Sequence, residues 1–167
     1  MKTKSKTVRS LAVGTALLLG VAAQAQNAPV GSSAAQAALQ GTWNVRMTPY
    51  DCATGQTFPA VAFLRRLGIH AGGTLAEANF NPTFQPGQRS SGLGSWERTG
   101  PKTYRALTEA YVFFASQWYA RGFQRIDEAI NLEDADHYVG SGRVEFTDEQ
   151  GNVGITGCFN TVGERQQ

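Results

Sequence analysis

Few side chains in this sequence carry chemistry, and the first of them are two cysteines, Cys52 and Cys158. They stand too far apart for the Cys-x-x-Cys pattern of a redox site, and two thiols alone make a poor metal site. A structural disulfide is therefore the expected role. It closes a loop of roughly 100 residues, worth about 4 to 5 kcal/mol in the chain-entropy model. Of the two histidines, His70 ends an apolar run beside Ala71-Gly72-Gly73 and is the one candidate for an axial haem ligand. His137 follows Asp134 and Asp136 without the ligand spacing of a calcium loop, so a solvated acidic turn is expected there. No Ser/His/Asp signature, phosphate loop or paired zinc motif is present, and neither a metal nor a cofactor is expected.

Glu109 is the remaining candidate for acid–base work. In TYRALTEAYVFF (103–114), Tyr104, Ala106, Thr108, Ala110, Val112 and Phe114 alternate with Arg105, Leu107, Glu109, Tyr111 and Phe113. If the second set faces an aromatic interior, Glu109 is desolvated, its pKa rises, and it can serve as a general acid or base. If the first set does, small and apolar groups line the interior and Glu109 is a surface charge. The following segment poses the same choice, with Trp118, Ala120, Gly122, Gln124 and Ile126 against Tyr119, Arg121, Phe123 and Arg125. An inward arginine pair would suit a carboxylate ligand, whereas a solvated outer face is the commoner arrangement.

The elements that hold these residues are strands. Runs rich in aromatic and β-branched residues recur at about 41–48, 60–69, 73–80, 91–98, 102–114, 118–130, 137–147 and 152–163. Short Gly-bearing turns such as HAGG, RTGPK and DEQGN separate some of them. Helical periodicity is almost missing, and RIDEAINLEDAD reads as a strand end running into an acidic turn. Eight successive strands joined by hairpins predict an all-β fold, an eight-stranded antiparallel up-and-down barrel whose closure leaves no exposed sheet edge. An open sandwich is the competitor.

Gly41-Thr42-Trp43, opening the first strand, resembles the Gly-x-Trp signature of the lipocalins and their calycin relatives. The resemblance implies a barrel over about 39–167 in which Trp43 plugs one end and an arginine of the last strand, here Arg165, packs across the indole. Opposed residues in an antiparallel ladder have a nearly constant sum of numbers. Trp43 with Arg165 and Cys52 with Cys158 agree to within a diagonal step, as a closed sheet requires.

Ahead of the barrel, Lys2, Lys4, Lys6 and Arg9, then LAVGTALLLGVAA, then Ala23-Gln24-Ala25 have the three-part form of a secretory signal peptide over residues 1–25. Export to the periplasm or the medium is expected, with no cysteine after the cleavage site to take a lipid anchor. QNAPVGSSAAQAA, from Gln26 to Ala38, reads as a flexible leader. Four of the 15 Lys and Arg leave with the signal while all 13 Asp and Glu stay, which takes the net charge from +2 to −2 (11 minus 13). With no basic stripe left, a nucleic-acid partner is not expected.

Alternation places Tyr138, Val144 and Phe146 with Gly140 and Gly142, and Val153, Ile155 and Phe159 with Gly157, on inward faces. The glycines either let the sheet bend or leave space for a guest. Trp96 in SGLGSWER is expected inward, and Phe84, in the long loop NFNPTFQPGQRSS, is expected to cap the interior. Trp96, Tyr104, Phe114, Trp118, Tyr138 and Phe84 form the expected ligand-facing set, with Trp43, Arg165, Cys52 and Cys158 structural. The expected function is binding of a small apolar or amphipathic molecule. The alternatives are a cofactor-free cyclase or isomerase of the allene oxide cyclase-like kind, acting through Glu109, and a filled barrel serving as a structural or interaction module.

Overall fold

The computed structural model describes residues 38–58, 62–113 and 121–167. Eight strands follow in order: β1 (Gly41–Tyr50), β2 (Phe63–Ile69), β3 (Thr74–Phe80), β4 (Gly92–Arg98), β5 (Thr103–Phe113), β6 (Arg121–Leu132), β7 (His137–Asp148) and β8 (Val153–Arg165). Each pairs antiparallel with the next and β8 returns to β1, so the sheet is a closed up-and-down barrel. There is no helix among the described residues. The expected signal peptide, nearly all of the leader, and Phe114 and Trp118 lie outside the described residues.

Closure occurs in the register that the sequence implies. Trp43 opposes Arg165 and Tyr50 opposes Cys158 along the β1–β8 ladder. Cys52, two residues past the end of β1, bridges to Cys158 with Cα atoms 5.2 Å apart. The disulfide thus ties the turn after β1 to the last strand beside the closing seam.

Strand alternation sorts the side chains. Trp43, Val45 and Met47 of β1, Leu67 and Ile69 of β2, and Tyr104, Ala106, Thr108, Ala110 and Val112 of β5 are buried, while their neighbours in sequence are mostly exposed. On β6 the inward set is Gly122, Gln124, Ile126, Glu128, Ile130 and Leu132. Both open choices of face are therefore resolved: the set of Tyr104 on β5 and the set of Gln124 and Ile126 on β6 face inward, which leaves Arg105, Glu109, Arg121 and Arg125 outside. Val153 and Ile155 correct one expectation, being 53% and 43% exposed. They lie beyond Cys158, the last residue of β8 with a partner on β1, so a neighbouring strand covers them on one side only.

One end of the barrel is plugged. The Trp43 indole donates from Nε1 to the Leu39 carbonyl at 2.9 Å and meets the Tyr138 ring edge-on at 5.1 Å. The Arg165 guanidinium lies 4.2 Å from the indole centroid and donates to the carbonyls of Ala38, Gln40 and Ala135. A cation held over an aromatic face in this way contributes about 0.5 to 2 kcal/mol, depending on how far it is desolvated. Trp96 and Tyr104 pack in the same cluster, with ring centroids 5.9 Å apart. An inward glycine here makes room for a ring: a Cβ at Gly163 would lie 2.1 Å from the Tyr138 ring.

Candidate functional site

Halfway along the interior, four charged side chains meet. FLRRLGI puts Arg65 on the face of Leu67 and Ile69, TLAEANF puts Glu77 on the face of Leu75, and β6 puts Glu128 between Ile126 and Ile130. Arg65 donates from Nε to Glu77 at 2.5 Å and from Nη1 to Glu128 at 2.9 Å. Arg89, from the loop between β3 and β4, donates from Nη2 to the other Glu77 oxygen at 2.5 Å. Thr161 of β8 donates to Glu128 at 2.6 Å. Two guanidinium and two carboxylate groups thus balance in a region closed to water.

The pairing governs their ionisation. Burial alone would raise the Glu77 carboxyl, but the Arg65 and Arg89 guanidiniums outweigh it and hold the group below the ordinary carboxylate range. Burial works against the Arg65 cation too, and Glu77 and Glu128 outweigh it, so Arg65 is bound more firmly to its proton than a free arginine. Burial, then the Glu128 charge, pushes the Tyr138 phenol well above its usual value, which keeps it neutral.

Beyond this layer the described residues leave space inside the barrel. A cavity of about 240 Å³ is walled by Met47, Phe63, Val144, Phe146 and Phe159, with Asn79 and Gln124 as interior polar groups and Cys158 at the rim. Arg65, Glu77, Arg89 and Glu128 do not line it; the two amides stand between them and the space. A larger hollow of about 480 Å³ is bordered by outward residues such as Asn44, Arg46, Leu64, Arg66 and Phe80. It is a groove on the outside of the wall, without the convergence of apolar walls and polar groups that marks a ligand site.

The loop over the open end is fastened at one side. Ser90 donates its amide to the Tyr111 carbonyl at 3.0 Å, Phe113 donates to Gln88 at 2.8 Å, and Arg89 reaches inward to Glu77 and Gln124. Asn81 caps the first turn by accepting from the Thr83 amide at 2.9 Å. Between these anchors Phe84 borders the cavity, its ring centroid 6.5 Å from that of Phe146.

No protein-family model matches the chain, and no curated protein matches it. The site is therefore read from its own geometry.

That geometry redistributes the residues singled out from sequence. Glu109 is exposed on the outer face opposite Arg125, so of the two placements open from sequence it takes that of a surface charge and is not an interior acid or base. Arg105 is likewise outside, paired with Asp127 at 2.8 and 2.5 Å. Trp96, Tyr104 and Tyr138 are inward but belong to the plugged end, where Trp96 Nε1 donates to the His70 carbonyl at 2.9 Å; they do not line the cavity. Of the expected ligand-facing set, Phe84 alone among the described residues borders it. Trp43, Arg165, Cys52 and Cys158 take the structural places expected of them. His70 is exposed. His137 pairs with Asp134 at 2.9 Å, and the same carboxylate accepts the amides of Asp136 and His137, which makes this acidic segment a capped turn. Asn79 and the Arg65–Glu77–Arg89–Glu128 network are what the sequence reading missed.

Proposed function

We propose that this protein is an exported, lipocalin-like barrel that holds one small apolar or amphipathic molecule at its open end. The observation that carries the reading is the cavity itself: an apolar wall of Met47, Phe63, Val144, Phe146 and Phe159 with a few polar side chains, among them Asn79 and Gln124, and an aromatic loop residue at its border. Its volume is below the roughly 300 to 1,000 Å³ of sites for drug-sized ligands, which favours a small guest or the tail of a longer one. The disulfide fits an oxidising compartment, and residues 1–25 have the form of a signal for the periplasm or the medium. The cyclase or isomerase alternative has lost the residue on which it rested, since Glu109 faces solvent.

Native mass spectrometry of protein purified from the periplasm without denaturant tests the reading. The expected result is an adduct of a few hundred daltons that leaves on unfolding, or a one-to-one adduct with an added aliphatic probe. A bare mass that persists after millimolar amphiphile is added would count against a binding function and favour a barrel serving only structure or protein contacts.

A further inference from the structure

Of the three amides that line the cavity among the described residues, Asn81 caps its own turn, and Asn79 and Gln124 are oriented from behind by charges. Asn79 Nδ2 donates to Glu77 at 3.3 Å, which turns Oδ1 the other way, and that oxygen is buried without a hydrogen-bond partner. Gln124 accepts from Arg89 Nε through Oε1, which directs its Nε2 donors away from the guanidinium. Flipping Asn79 would set its oxygen against the Glu77 carboxylate, and flipping Gln124 would set its NH₂ against Arg89. The ion network therefore fixes both amides: Gln124, on the cavity wall, keeps its donors turned away from the charges, while the Asn79 acceptor lies buried behind the wall.

The same network leaves no charge to spare. Arg65 is shared by Glu77 and Glu128, and Arg89 is taken by Glu77. An ionised head group entering here would lose its water and meet no opposite charge in excess. An uncharged group that accepts from Gln124 Nε2 calls for no counter-charge.

From this geometry we infer that the cavity selects an uncharged head group that accepts a hydrogen bond from Gln124, such as an aliphatic alcohol or primary amide, with its apolar tail along Phe63, Val144, Phe146 and Phe159. The inference rests on the binding function proposed above and specifies its ligand class. Gln124 is the specificity-determining residue, and Arg89 is a positioning residue that acts through it.

The test is a head-group series on the disulfide-bonded protein: 1-octanol, octanamide, octanoate, octylammonium and n-octane, titrated at neutral pH with binding read by calorimetry and native mass spectrometry. The alcohol and the amide should bind at least tenfold more tightly than the two ions. Gln124→Met, with its fold checked by circular dichroism, should weaken octanol and octanamide about tenfold, the worth of one neutral hydrogen bond, and leave n-octane unchanged. The series on the unaltered protein stands even if that variant fails to fold. Octanoate or octylammonium binding as tightly as octanol would overturn the head-group inference while the cavity reading survives. No binding of any probe in the millimolar range would overturn both.

Discussion

Arg65, Glu77, Arg89 and Glu128 occupy an interior in which any one of them alone would be untenable, because a buried charge without a partner costs several kcal/mol. Arg65→Leu leaves Glu77 with Arg89 only and Glu128 with no cation, and should lower stability by about 3 to 5 kcal/mol, read from the urea midpoint. Glu109→Gln, on the outer face, should change the same midpoint by less than about 0.5 kcal/mol. The network also predicts a pH dependence. The folded Glu77 carboxyl lies below its unfolded value, so its contribution is present above the ordinary carboxylate pKa of about 4.3 and is lost as the pH falls through the folded value. Urea midpoints measured from neutrality into acid should fall along this limb, and Glu77→Gln should flatten it. The signal for these residues was in the sequence. Strict alternation puts Arg65 on the face of Leu67 and Ile69, Glu77 on that of Leu75, and Glu128 between two isoleucines. Charged residues are ordinarily read as solvated, and the pairing that overrides this joins residues up to 63 positions apart, beyond what one strand's pattern conveys.

At the scale of elements, all eight strands were legible, because aromatic and β-branched runs between turn residues mark pleated, half-buried segments whatever their partners. The ends were less so: β2 begins at Phe63, three residues later than its apolar run implies, and β8 runs on to Arg165. The ladder sum that foretold closure works because Trp43–Arg165 and the disulfide lie on one seam. What no strand pattern could convey is the loop's inward arm, Arg89, whose residue number says nothing of its depth. Two predictions belong here. Cys52→Ser with Cys158→Ser releases a loop spanning a separation of 106 residues and should cost about 4 kcal/mol in urea, with an unchanged β-type circular dichroism spectrum. Phe84→Ala leaves the Arg89 anchor in place. It should speed release of bound octanol in stopped-flow exchange with little effect on stability, and an unchanged off-rate would remove the loop from any gating role.

The whole molecule is a barrel with unlike ends, and the difference is a division of labour. At the plugged end Leu39, Trp43, Tyr104 and Tyr138 fill the interior to the point where glycine is needed on the facing strand, and Arg165 seals it from outside. At the open end Val144 and Phe146 are only half-buried, and the space beside them is left to whatever the barrel holds. Between them the balanced ion layer separates packing from binding. Substitutions at the two ends should therefore have crossed effects. Trp43→Ala creates a cavity in a fully buried cluster and should cost about 3 to 5 kcal/mol. Val144→Ala removes atoms that already touch open space, so its stability cost should be under about 1 kcal/mol, while affinity for an octyl chain falls with the lost apolar contact. Urea midpoints and probe titrations on the same two variants check this. Equal destabilisation by both would mean that the open end is packed as core and that the cavity is incidental to the fold.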